Sequence, residues 1–146
     1  MSRAAIVTRP IDPAQLMAEV QSPQFGAISV FAGTVRDTND GRSVSAIDYS
    51  AYTSMAESEL AAILAEAEDL FGVNAMVVEH RVGALALGDV SIAIVAAHAH
   101  RAPALDSTRF VIEEIKKRVP IWKREHYGDG AVEWVDPTQS TGVATS

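Results

Sequence analysis

Apolar positions along the chain recur with two periods, and the changes of period mark its elements. Asp12-Pro13 predicts a helix start, with an N-cap residue and a proline at the first helical position. Leu16, Met17 and Val20 form the stripe of that helix, and Ser22-Pro23 ends it. Residues 26–35 are a nearly continuous run of small and apolar residues, the pattern of a buried strand. Thr38-Asn39-Asp40-Gly41 is a turn cluster, and residues 44–52 alternate as a second strand, which predicts a hairpin with the first. Residues 54–71 carry Leu60, Ile63, Leu64, Ala67 and Phe71 at helical spacing, with Gly72 as the stop. Residues 75–82 and 90–97 read as strands.

A second long helix spans 103–119, with Leu105, Thr108, Ile112, Ile115 and Val119 on one face and Pro120 as its stop. Residues 121–125 and 131–135 predict a closing hairpin in which Trp122 and Trp134 face each other. The order α-β-β-α-β-β-α-β-β predicts an α+β fold with mostly antiparallel strands and two long helices. We expect a single domain over residues 1–135 and a flexible polar tail over 136–146.

With 146 residues the chain suits one core. Its apolar runs are too short to span a bilayer, its N-terminus has no signal-peptide core, and it has no cysteine, so the expected location is the cytoplasm. The missing cysteine has a chemical consequence: any sulfur the protein handles is brought from outside. A net charge of -7 argues against general nucleic-acid binding. Yet residues 101–124 hold seven of the twelve basic residues and three acids, a local +4 that leaves -11 elsewhere. Such an island fits either an anionic ligand or a helix end whose cations complement its dipole.

Two segments within the island carry candidate chemistry. Lys116 lies in the last helical turn before Pro120, and Lys123 lies on the extended segment beyond, so their side chains can converge. A lysine among other cations, here also Lys117 and Arg118, has a depressed pKa and becomes a usable base or nucleophile. The second segment is His98-Ala99-His100-Arg101, after an apolar strand. In extended structure His98 and His100 point the same way, as in a metal-ligand pair, but no spacing marks a third ligand. Alternatively, His100 and Arg101 stand where the next helix begins, a natural phosphate site. Arg36, at the end of the first buried run, can reach a pocket at that strand's end. The chain has no nucleophile-elbow serine and no Gly-rich phosphate loop.

Four linked segments resemble one family. They are Val35-Arg36-Asp37-Thr38-Asn39-Asp40-Gly41 with Tyr49-Ser50-Ala51-Tyr52, His80-Arg81-Val82-Gly83-Ala84-Leu85 with Gly88-Asp89, Ala99-His100-Arg101 with Ala104, and residues 112–116 running into Val119-Pro120-Ile121-Trp122-Lys123-Arg124-Glu125. The family is the large subunit of molybdopterin synthase, or MoaE, and the likeness runs from about residue 10 to 135. It implies an α/β-hammerhead fold and a homodimer within a heterotetramer. The partner would be a small ubiquitin-like sulfur carrier (MoaD-like) with a Gly-Gly thiocarboxylate tail. The implied reaction is sulfur transfer to cyclic pyranopterin monophosphate (precursor Z), forming the dithiolene of molybdopterin. Lys116 and Lys123 inherit catalytic roles, and Arg36, His100 and Arg101 substrate-binding roles, with both protomers contributing. No cofactor and no metal are called for. Ser50, His98 and Leu105 depart from the family's usual glutamate, small residue and phenylalanine. A non-catalytic scaffold that binds a ubiquitin-like tail, and a metal-dependent hydrolase built on His98 and His100, are the competing readings.

Overall fold

The computed structural model of the chain describes residues 2–135; the expected C-terminal tail lies outside them. The elements are β1 (Ser2–Val7), α1 (Pro13–Val20), β2 (Ala27–Thr34), β3 (Thr38–Asn39), β4 (Arg42–Ala51), α2 (Thr53–Phe71), β5 (Ala75–Arg81), β6 (Gly83–Ala86), β7 (Val90–His98), α3 (Arg101–Arg118), β8 (Ile121–Tyr127) and β9 (Val132–Val135). They form an α+β fold with two sheets. One has strand order β1-β5-β7-β2; the other has order β3-β4-β8-β9, with β6 also paired to β4. Only the β1–β5 pairing is parallel. No helix among the described residues is long and apolar enough to cross a membrane.

The central strands β5 and β7 read as continuous apolar runs because helices cover both their faces. Ala75 and Val77 pack with Ile11, Leu16 and Val20 around α1. Met76 and Val78, pointing the other way, pack with Leu60, Ile63, Val111 and Ile115 of α2 and α3. The period of two therefore sends Glu79 toward the α1 side and His80 toward the α2–α3 side. Helix ends follow their caps: Asp12 accepts from the Ala14 amide at 3.1 Å, and Gly72, at φ 66°, closes α2 in the left-handed conformation.

Several sequence expectations need correction. The run 26–35 is not a fully buried strand: β2 pairs only with β7, and Val30 is 39% exposed. Nor does it pair with 44–52. The hairpin partner of β4 is the two-residue β3, joined through Asp40 (φ 54°) and Gly41 (φ 80°), the positive-φ pair of a type I′ turn. Helix α3 buries Ala104, Ser107, Thr108, Val111 and Ile115, whereas Leu105 is 58% exposed. Small residues on the buried face let the helix sit close to the sheet, which turns Leu105 outward. Across the β8–β9 hairpin, Trp134 lies opposite Arg124 and not Trp122. The Arg124 guanidinium sits 5.3 Å from the Trp134 ring centre, while Trp122 packs edge-on against Tyr52.

Strand β1 was not expected, because it lacks a strong apolar pattern. It pairs in parallel with β5, Ala4 and Ile6 pack against the core, and polar anchors add to this hold. Glu57 of α2 accepts from the Ile6 amide at 2.8 Å. Glu79, with no exposed surface, accepts from Arg3 of β1 at 2.8 Å and from Arg9 at 2.8 and 3.0 Å. Burial pushes the Glu79 carboxyl up, but the bonds from Arg9 and Arg3 outweigh it and hold the group below 4.5. A carboxyl depressed in the folded state contributes stability above its ordinary pKa and loses it as pH falls through the folded value. Glu79→Ala should therefore lower stability by about 2 kcal/mol at pH 7. In urea titrations, the gap between Glu79→Gln and the parent should close as pH drops below 4.5.

Candidate active site

The C-terminal end of α3, the last residues of β5 and the middle of β4 and β8 meet in one place. Strand β8 alternates strictly, with Ile121, Lys123, Glu125 and Tyr127 buried and the residues between them half-buried. Its inward face thus carries two charges through the core. Lys123 is 2% exposed and Glu125 has no exposure, and their charged atoms lie 2.9 Å apart. The Asn39 amide donates to both Glu125 oxygens at 2.7 and 2.8 Å, and the Tyr127 side chain adds a further hydrogen bond. Burial pushes the Glu125 carboxyl up; Asn39, Lys123 and Tyr127 together hold it below its ordinary value. Arg36, exposed beyond β2, reaches Asn39 Oδ1 at 3.4 Å, which ties it to this network.

Lys116 and Lys123 do converge. Lys116 walls a cavity of about 20 Å³ together with Tyr49, His80, Ile115, Val119 and Ile121. Burial, reinforced by the charge of Lys123, pushes the Lys116 amine down to about 8. The expected helpers Lys117 and Arg118 take no part. Lys117 pairs with Glu114 at 3.2 Å, and Arg118 pairs with Glu59 and Glu66, each at 2.7 Å. Most of the basic island is neutralised in the same way: Arg109 by Glu113, and Arg124 by Asp48, which also binds His126. Of the island's seven cations, Lys116 and Arg101 alone have no ion pair among the described residues.

His100 and Arg101 occupy the other end of α3, as its N-cap and first residue. They line an open recess of about 390 Å³ with Gly26, Ala27, Ala99 and Ala102. A Cβ on Gly26 would meet the Ala99 carbonyl oxygen at 2.8 Å, so glycine is what lets β2 close this recess. His98 turns its Nδ1 to accept from the His100 amide at 3.0 Å, so the two rings do not act as one pair of ligands. Fifteen residues of helix separate Arg101 from Lys116, or about 22 Å along the axis. Within one chain the two halves of the expected site stay apart. Asn39, Tyr49, His80 and Glu125 lie in the segments that carry the resemblance, but the sequence reading gives them no role in the site. Charged residues at inward positions of an alternating strand were the available signal for Glu125.

An amine with its pKa near 8, beside a second cation in a small cavity, can act as base, nucleophile or oxyanion stabiliser. That is the equipment of a group-transfer enzyme. A family profile described as "MoaE protein" matches residues 6–118. A molybdopterin synthase catalytic subunit from Halalkalibacterium halodurans is 41% identical over 133 residues, 91% of this chain and 85% of that protein. The crystal structure of molybdopterin synthase from Staphylococcus aureus aligns with TM-score 0.84 and 34% identity over 90% of this chain and 95% of that one. A Helicobacter pylori complex of subunits 1 and 2 of molybdopterin-converting factor shares the fold at TM-score 0.74 and 23% identity, over 94% of this chain and 92% of that one. The chain belongs to the MoaE family, the catalytic subunits of molybdopterin synthase.

The depressed Lys116 predicts a pH-dependent stability. Its ordinary pKa is 10.5 and its folded value about 8. Below 8 the amine is charged in both states and its burial is unfavourable. The opposing contribution appears as pH rises through 8 and is complete above 10.5. Lys116→Met should therefore exceed the parent by about 3 kcal/mol at pH 7. Urea titrations should show that advantage fading between pH 8 and 10.5. A constant advantage would mean a solvated amine.

Proposed function

We propose that this chain, in the cytoplasm, transfers sulfur from the thiocarboxylated C-terminus of a small ubiquitin-like subunit to cyclic pyranopterin monophosphate, forming the dithiolene of molybdopterin. The observation that carries the reading is Lys116: a half-buried amine pushed down to about 8, with no counter-ion among the described residues, in a chain of this family. The chain has no cysteine, so the sulfur arrives on the partner. The thiocarboxylate sulfur bonds to a pterin side-chain carbon as a C–O bond there breaks, and the acyl–sulfur bond is then cleaved, the acyl group passing to water or to the Lys116 amine. A neutral Lys116 can take the proton released or attack the acyl carbon; a charged one can stabilise the oxyanion. Lys123, held by Glu125, supplies a fixed positive charge beside it.

Arg36, His100 and Arg101 are assigned to the substrate's anionic groups. Arg101 has no ion pair among the described residues and stands at a helix N-terminus, where backbone N–H groups also favour a phosphate. The helical distance of about 22 Å between Arg101 and Lys116 supports a site completed by a second copy of the chain. The surface between β2 and α3 suits such a copy: Val30, Phe31, Leu105 and Ile112 line an open apolar groove of about 500 Å³. A homodimer carrying one small subunit on each copy gives a heterotetramer.

Reconstitution with a thiocarboxylated small subunit and precursor Z tests the reading. Lys116→Ala should fold and bind the partner yet lose about a hundredfold or more in single-turnover rate. Lys116→Arg should not rescue it, since arginine keeps the charge but cannot deprotonate. Near-normal turnover of both variants would remove Lys116 from the mechanism. In calorimetric titrations with the substrate, Arg101→Ala should weaken binding by about one to two decades, the value of a charge-assisted bond to phosphate. Unchanged affinity would remove Arg101 from the pocket.

A further inference from the structure

His80 is a polar group of the Lys116 cavity that the reading above leaves without a task. It ends β5 on the α2–α3 side, 3% exposed. Its Nδ1 lies 2.9 Å from the carbonyl oxygen of Arg81. A carbonyl only accepts, so the proton sits on Nδ1 and Nε2 keeps its lone pair. Among the described residues Nε2 has no hydrogen-bond partner. The ring is held edge-on to Tyr49, centroids 5.1 Å apart, and both line the cavity with Lys116. With Nδ1 bound to the strand's own backbone, Nε2 is the polar atom His80 can offer to that space. The cavity's volume of about 20 Å³ has room for about one water.

We propose that His80 is a positioning residue for Lys116: its Nε2 accepts a hydrogen bond from the Lys116 ammonium, directly or through the single water the cavity can hold. The inference rests on Lys116 being the working amine. The ring suits the task because it stays uncharged. Burial pushes it down to about 4, opposed by the bond to Arg81 and helped by the charge of Lys116. It thus offers an acceptor without a second positive charge. The groups facing the Lys116 amine are Lys123 of β8, itself bound to Glu125, Tyr49 of β4 and His80 of β5. On its own helix Glu114, Lys117 and Arg118 are paired with one another or with α2. Tyr49 is pushed up to about 12 by burial, so it stays neutral through the range of interest. Of these groups, only His80 offers a nitrogen lone pair to an ammonium.

Asparagine and glutamine separate the two ring nitrogens. His80→Asn keeps a donor near Nδ1 for the Arg81 carbonyl but has nothing at Nε2. His80→Gln reaches the Nε2 position with an acceptor oxygen. The experiment is NMR titration of the Lys116 side chain in full-length, 13C-lysine-labelled protein, assigned with Lys116→Arg and with folding checked by circular dichroism. This readout needs neither substrate nor partner, so it fails or succeeds independently of the proposed reaction. The parent midpoint should lie near 8. Losing an acceptor to the charged form should lower it by about one pH unit in His80→Asn, and His80→Gln should recover at least half of that shift. In the reconstituted enzyme, kcat of His80→Asn should fall about tenfold with KM unchanged, and the limb of its pH profile should move down with the NMR midpoint. An unmoved midpoint in His80→Asn, or equal shifts in the two variants, would overturn the proposal. A purely structural histidine would change stability and leave both midpoints where they are.

Discussion

Lys123 and Glu125 lie inside β8 with almost no solvent contact, and each is tolerated there because the other is 2.9 Å away. Removing either partner would leave a buried charge uncompensated, a penalty of about 3–5 kcal/mol. The pair therefore constrains everything around it. Glu125 needs its remaining lone pairs filled, which brings in Tyr127 from the end of β8 and Asn39 from β3. Asn39 reaches Glu125 only because the Asp40-Gly41 turn folds β3 back onto β4. Arg36 follows Asn39. Lys123, so anchored, is a positive charge that cannot swing away from Lys116. A motif that reads in sequence as a turn is, in space, a support for the lysine pair.

What the sequence made legible was what periodicity carries. The two long helices, the central strands β5 and β7, the β8–β9 hairpin and the Gly72 stop all follow from local pattern. Strand pairing did not. Residues 26–35 and 44–52 look like consecutive hairpin strands, but the first lies against β7 and the second against β8, because residues 35–41 carry the chain from one sheet to the other. Strand β1 was invisible because its partners, β5 and the carboxylates of Glu57 and Glu79, are far away in sequence. The stripe of α3 was misplaced because Ala104 and Ser107 are small enough to be buried while Leu105, more hydrophobic, is not. In the site, the convergence of Lys116 and Lys123 was legible from the proline stop between them. Asn39 and His80 depend on which strand faces which, and no spacing encodes that; for Glu125 the one signal was its inward position in the alternation of β8.

The basic island shows how far formal charge is from electrostatics. A local +4 suggests a positive surface, yet carboxylates from α2, α3, β4 and β8 meet five of its seven cations. Apart from the buried Lys123–Glu125 pair, these surface pairs contribute little to stability, about 0–1 kcal/mol each. Their effect here is on placement. They draw Lys117 and Arg118 away from the cavity and leave Lys116 with one charged neighbour.

That arrangement explains why Lys116, and not Lys117, has an altered pKa. Adjacent residues on a helix point about 100° apart, so one amine faces the junction of the sheets and the other faces Glu114 and solvent. Crowding by cations is then a minor influence; burial is the larger one, with Lys123 second. The two causes have different remedies. A surface amine depressed by its neighbours would recover in salt, because exposed charges more than about 10 Å apart are screened at 0.1 M. An amine depressed by burial in a small cavity is not reached by salt and keeps its value across ionic strengths. The fold thus holds Lys116 near neutrality by removing water from it, at a cost in stability that a core residue in its place would not impose.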